Sequence, residues 1–177
     1  MSEPRTARIV CLNGFMGCGK STVGKLLARS VGWVHVDLDQ RIVESAKLSI
    51  PEIFSNHGEP EFRRIEHEQL KRTFGEAEQQ GRPRLISLGG GTIMQPMNHP
   101  LLKQPNVVMV WLRCPVEVLL GRIAHIQDRP LFRDEATFRK LYAERLPFYK
   151  TSHYKVDASV EPANVAEQIL NLRIFSR

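Results

Sequence analysis

Gly14-Phe15-Met16-Gly17-Cys18-Gly19-Lys20-Ser21 follows the apolar run Ile9-Val10-Cys11-Leu12 and precedes a segment with Val23, Leu26, Leu27 and Val31 on one helical stripe. The octet matches G-x-x-x-x-G-K-[ST] without a departure, between a strand and an amphipathic helix, which is the context a phosphate-binding P-loop requires. A glycine turn that merely joins strand to helix is the plainer alternative, and the complete match in the right context argues against it. The residue types answer to physics. Glycines let backbone N–H groups close around phosphate oxygens, and the positive end of the following helix adds to the attraction. A lysine at position 20 neutralises charge at the β/γ bridge, and the Ser21 hydroxyl can ligand Mg²⁺. Gly14, Gly17, Cys18, Gly19, Lys20, Ser21 and Thr22 are thus expected to hold a nucleoside triphosphate.

Outward from this loop, short apolar runs alternate with helical patterns. Val34-His35-Val36, Leu85-Ile86-Ser87-Leu88 and Val107 to Leu112 read as further strands, with a weaker one around His153 to Asp157. Pro162 opens a last helix carrying Val165, Ile169 and Leu172. Strands buried on both faces and joined by helices predict a parallel sheet in a three-layer α/β/α sandwich. Residues 1–177 read as one domain. Two stretches interrupt the rhythm: a helical excursion over about 40–72, and a polar flap over about 125–135 holding Arg129-Pro130.

Composition narrows the partners. Hydrophobic residues are 42% and charged residues 25% of the chain, and no apolar run approaches the roughly 18–20 residues of a membrane helix. The polar start, Met1 to Arg8, predicts no secretory leader, so a cytoplasmic location is expected, or an organelle if a transit peptide has been trimmed. Three widely spaced cysteines suit a reducing compartment rather than a disulfide framework or a zinc site, with Cys11 and Cys114 expected in the core. The net charge of +6 fits an anionic partner. Its basic residues are scattered, without runs interleaved with aromatics, which points to small anions and away from nucleic acid.

A second anchor for the metal is expected at a strand end. Val36 runs into Asp37-Leu38-Asp39, and continued extension would put both carboxylates on one side of the chain. Asp37 is assigned to the metal side, and Asp39 to orienting or deprotonating an acceptor hydroxyl, or to capping the next helix. Beyond Asp134, Phe138, Leu141, Tyr142 and Tyr149 form an apolar stripe with Arg145 in its middle. Arg63 shares an inner face with Phe62, Ile65 and Glu66. An inward guanidinium must meet an anion. A ligand carboxylate and an internal partner such as Glu66 stand level on these grounds. Gly89-Gly90-Gly91 after the third strand suggests a close approach to the main chain, or a flexible turn. Arg129 could reach the phosphates from the flap, with Arg122 a second candidate. His57, His67 and His125 show no ligand spacing and read as solvated or structural.

Together these pieces resemble the shikimate kinase family, from Ile9 to about Leu172. The motifs stand in family order: GFMGCGKST, the DLD pair, IF-x-x-x-GE-x-x-FRR-x-E, LGGG, the RPL of the flap and ER-x-P-x-Y. The resemblance implies a nucleoside-monophosphate-kinase-like fold with a five-stranded parallel sheet, a substrate-binding helical region and a lid. It implies ATP-dependent phosphorylation of the 3-hydroxyl of shikimate, a step of chorismate and aromatic amino-acid biosynthesis. By the same resemblance Asp39 meets the substrate hydroxyls, Arg63 and Arg145 hold the carboxylate, and Gly89, Gly90 and Gly91 line the pocket. Arg129 would reach the phosphates and Arg122 would border the adenine. The chain departs from the family at Val43 and Ala46-Lys47 after Asp39, and at Val160 near the adenine loop. These changes predict an altered KM rather than inactivity. Rival readings are another small-molecule kinase, such as a gluconate kinase, a catalytically silent nucleotide-binding homologue, and a basic nucleic-acid binder. A monomer is the default.

Overall fold

The computed structural model describes residues 7–124 and 134–175. Most of the predicted flap, with Arg129, Pro130 and His125, therefore lies outside the described residues.

Ile9–Asn13 forms β1, and all five of its side chains are buried. It is the central strand of a parallel sheet whose other members are β2 (Val34–Asp37), β3 (Arg84–Ser87), β4 (Val107–Arg113) and β5 (Tyr154–Asp157), in the order β2-β3-β1-β4-β5. Ile9 aligns with both Arg84 and Val107, which sets the carboxyl ends of β1 and β3 side by side. The chain leaves β1 toward one edge and later passes to the other, so those carboxyl ends open the crevice where ligands of such sheets bind. Apolar side chains on both strand faces need cover on both sides. Helix α1 (Lys20–Val31) supplies Val23, Leu27 and Ala28 to one side and packs on the C-terminal helix Pro162–Leu170. Gly24 lets α1 settle onto the sheet, since a Cβ there would lie 2.5 Å from His35 Nε2.

The helical stretch after β2 runs to Gln80 and bends. Helix α2 spans Leu38–Ala46 and α3 spans Ile50–Gln80, opened by a Ser49/Glu52 capping box. Gly58, with φ 80° and ψ 173°, breaks the α3 ladder two residues before Pro60. The pair α2/α3 is tied by Arg41, which contacts Glu76 at 2.7 Å and donates to Thr73 Oγ1 at 2.6 Å, and by Gln69 donating to Ser45 Oγ at 2.9 Å. Beyond β3 come the short helix α4 (His99–Leu102) against β4, then α5 (Val116–Ala124), α6 (Glu135–Tyr149) and α7, the Pro162–Leu170 helix already described. Helix α6 is fastened over the P-loop by rings: Phe15 meets Phe138 edge-on at 5.0 Å and Tyr142 at 5.4 Å.

Candidate active site

At the end of β1 the backbone turns through positive φ at Gly14, Gly17 and Gly19. Gly14 cannot be replaced cheaply, because a Cβ would lie 2.8 Å from the Leu112 carbonyl and 2.9 Å from Cys18 Sγ. Lys20 curls back into the loop it closes, its Nζ donating to the carbonyls of Gly14 at 2.8 Å and Phe15 at 3.2 Å. Cys18 is buried and its N–H donates to the Phe15 carbonyl at 3.3 Å, while Ser21 and Thr22 are exposed on the first turn of α1. Beneath that turn Ser87 Oγ donates to the Lys20 carbonyl at 2.9 Å and meets His35 Nε2 at 2.9 Å. Burial lowers the His35 pKa against the opposing pull of Asp37. A neutral imidazole therefore props the loop.

The two aspartates divide differently from the expected strand extension. Extension stops at Asp37, whose Oδ1 accepts from Gln40 N at 3.2 Å and caps α2. Asp39 is thus a first-turn helical residue, and the cap is Asp37 instead. The physical reason is that a carboxylate just before a helix satisfies an otherwise unpaired N–H. The other oxygen of Asp37 meets the Ser21 hydroxyl. Hydroxyl plus carboxylate oxygen is a hard donor pair of the kind Mg²⁺ accepts beside nucleotide phosphates, so these residues fit that ion. Among the described residues no group of three or more His, Cys, Asp and Glu side chains could hold a metal ion.

Beside the phosphate loop, side chains from three separate elements converge on Gly89-Gly90-Gly91. A Cβ on Gly89 would lie 2.9 Å from Asp39 Oδ1, one on Gly90 2.8 Å from Arg145 Nη1, and one on Gly91 2.7 Å from Arg63 Nη2. The same point on Gly90 lies 3.8 Å from the Gly14 carbonyl, so the triplet borders the phosphate loop. The glycines are bare because charged side chains press against them, a physical demand that a flexible turn would not make. Arg63 is engaged internally as well: Nη1 donates to Glu66 Oε2 at 2.9 Å, and Nη2 lies 3.2 Å from Glu59. Glu66 is fully buried and also accepts from Thr92 Oγ1 at 2.7 Å. Burial raises its pKa, with Asp39 adding to the rise and Arg63 opposing it. The internal pairing expected of Arg63 is thus observed, with Nε and Nη2 beside Glu59 and Nη1 on Glu66, while Nη2 is also the atom nearest Gly91.

Arg145 is held differently. Its guanidinium carbon sits 5.4 Å above the Phe15 ring, and its buried Nε has no hydrogen-bond partner among the described residues. Arg122 donates to the carbonyls of Gly17 at 3.3 Å and Ala158 at 2.9 Å. It thereby walls a cavity of about 290 Å³ that is also lined by Cys18, Val160, Pro162 and Val165. Sequence reasoning did not single out Thr92, Ser87 or Tyr149 for the site. Thr92 and Ser87 carry no pattern, being lone hydroxyls, whereas Tyr149 was visible in an apolar stripe and as the last residue of the ER-x-P-x-Y motif, with no role of its own. Of the histidines, His67 is structural, its Nδ1 lying 2.8 Å from Asn98 Oδ1.

Comparison with known proteins fits this arrangement. Residues 16–173 match the shikimate kinase family model. A shikimate kinase of Geobacter metallireducens is 40% identical over 162 residues, covering 90% of this chain and 87% of that one. Among solved structures, the shikimate kinase of Acinetobacter baumannii in complex with shikimate superposes with a TM-score of 0.84 at 33% identity, covering 96% and 94% of the two chains. The Aquifex aeolicus shikimate kinase gives 0.79 at 34%, covering 93% and 95%. A complete P-loop facing a glycine triplet lined by an aspartate and two arginines, in a chain matched along nearly its whole length, leads to one conclusion: this protein belongs to the shikimate kinase family.

Proposed function

We propose that the chain transfers the γ-phosphoryl group of ATP to the 3-hydroxyl of shikimate, feeding chorismate and aromatic amino-acid biosynthesis. The observation that carries the reading is the convergence of Arg63, Arg145 and Asp39 on the glycine triplet, within reach of the phosphate loop. Two guanidiniums suit one carboxylate, because each planar fork can donate parallel hydrogen bonds. With its carboxylate held there, the acceptor has its hydroxyls toward Asp39 and Gly14. Shikimate carries a carboxylate and ring hydroxyls, which is the chemistry these groups recognise.

In the proposed reaction the acceptor oxygen bonds to the γ phosphorus as the bond to the β–γ bridging oxygen breaks. ADP leaves with that electron pair, and Asp39 orients the hydroxyl and takes its proton. Positioning of the two substrates supplies much of the rate, since little covalent chemistry falls to the protein. Lys20 leaves the loop carbonyls to meet the β/γ phosphates, and Arg129 is assigned to the phosphates from the flap. Arg122 and the cavity beside it would take the adenine. Ser21 and Asp37 would hold Mg²⁺, which when bound draws charge from the transferring group. A cytoplasmic monomer that acts on small molecules and engages neither nucleic acid nor membrane completes the reading. No helix among the described residues is long and apolar enough to cross a membrane.

The test is ADP release from Mg²⁺-ATP with shikimate, quinate, gluconate or no acceptor. Stimulation by shikimate alone or chiefly is expected. Nucleotide binding without stimulation by any acceptor would overturn the kinase reading in favour of a silent homologue.

A further inference from the structure

Arg63 and Arg145 face the same glycines but are held by opposite means. Carboxylates grip Arg63, whereas among the described residues Arg145 has no carboxylate within ion-pair distance. What surrounds Arg145 is the Phe15 ring, the bare Gly90 backbone and the phenol of Tyr149, one helical turn later on α6. Tyr149 is 1% exposed, and its hydroxyl donates to the Gly90 carbonyl at 2.6 Å. Its ring stacks on Trp111 at 6.3 Å, a role phenylalanine would fill equally, so packing alone does not require the hydroxyl. The Tyr149 carbonyl accepts from Ser152 Oγ at 2.8 Å, and Ser152 Oγ accepts from Asn13 Nδ2 at 2.9 Å. Asn13 is the last residue of β1, immediately before Gly14. Bonded at its carbonyl and at its phenol, Tyr149 thus links the base of the P-loop to Gly90.

We propose that Tyr149 is a positioning residue for the acceptor: its phenol holds Gly90 and the Arg145 guanidinium in register and ties both to the phosphate loop. A neutral hydroxyl suits this task better than a carboxylate would. It can steady a guanidinium without neutralising it, which leaves the full charge for an incoming anion. Burial pushes the phenol far above its ordinary range despite the nearby Arg145 charge, so it stays protonated and remains a donor to Gly90. This inference rests on the reading of Arg145 as a carboxylate binder.

The experiment is steady-state kinetics of Tyr149→Phe, Arg145→Ala and the double variant, with shikimate and ATP varied separately and ATP dissociation measured on the same preparations. Intact ATP binding certifies that the P-loop has folded, and the retained ring should keep the core packed. Tyr149→Phe is expected to raise the shikimate KM about tenfold, as for one lost buried hydrogen bond, while the ATP KM stays within about twofold. The double variant should be no worse than Arg145→Ala alone, because the phenol acts through that guanidinium. An unchanged shikimate KM in Tyr149→Phe, a parallel rise in both KM values, or additive losses in the double variant would each overturn the positioning role. Should Arg145→Ala itself leave the shikimate KM unchanged, the carboxylate reading falls, and the inference with it. An impaired Arg145→Ala beside an unaffected Tyr149→Phe removes the inference alone.

Discussion

The phosphate loop and the proposed acceptor pocket share a border at Gly14 and Gly90 but are built by different means. The loop is nine consecutive residues, Gly14 to Thr22, turned through positive φ at three glycines and closed by one lysine bonded back to its carbonyls. The pocket is three side chains from three elements, Asp39 on α2, Arg63 on α3 and Arg145 on α6, gathered around the bare glycines after β3. A backbone site tolerates little at the few positions where a Cβ would collide, and it is indifferent to much else. A side-chain site instead depends on every element that aims a group into it, so its weak points lie partly outside itself, in Glu66, Thr92 and Tyr149.

If the loop serves the nucleotide and the pocket the acceptor, substitutions should separate cleanly. Lys20→Ala is expected to lower kcat about a thousandfold, since it removes a fixed charge from the transferring phosphoryl, and the thermal midpoint should barely move. A loss confined to the shikimate KM would break the division. Asp39→Asn should lower kcat about a hundredfold with ATP binding intact. Near-normal turnover would remove Asp39 as a base while leaving it as a ligand of the acceptor. Arg145→Ala should raise the shikimate KM about fiftyfold, the scale of a lost charge-assisted pair, and the ATP KM little. Equal effects on both substrates would show that the border between the sites is not functional. On the nucleotide side, Val160→Arg at the rim of the adenine cavity should lower the ATP KM about threefold by stacking a guanidinium near the base.

The smallest expected effect sharpens how Glu66 holds Arg63. Burial gives Glu66 a folded pKa above its ordinary value of 4.5, so the native state binds that proton more tightly than the unfolded chain. This contribution to stability is present at low pH and is lost as pH rises from the ordinary value through the raised one. Thermal midpoints of wild type and Glu66→Gln across that window should diverge, with the flatter profile in the variant. Parallel profiles would mean that folding leaves the Glu66 pKa where it is in the unfolded chain.

The division also explains what could be read before folding. The P-loop was legible because its residues are neighbours and their types are dictated by phosphate chemistry. The central strands β1, β3 and β4 were legible because buried segments read as apolar runs, and the bounds expected for β2 and β3 differ from those observed by a residue or so. Arg63 and Arg145 stood out as charges among apolar neighbours, which marks them as needing an anion but does not say which one. The aspartate pair went partly astray. Extension was assumed through Asp39, while the local preference for a capping carboxylate starts α2 directly after Asp37. Asp39 nevertheless faces Gly89, because the first turn of α2 points it there.

The sequence by itself determined the alternating architecture, the phosphate cradle and the presence of inward charges, since each rests on residues close together in the chain or on the cost of burying a polar group. Why Arg145 lies against the Phe15 ring and Gly90, and why three glycines stand in a row, were decided only by the tertiary structure. Those contacts join positions tens of residues apart. Their partners are set by how α2, α3 and α6 pack at the carboxyl edge of the sheet, and no local preference encodes that packing.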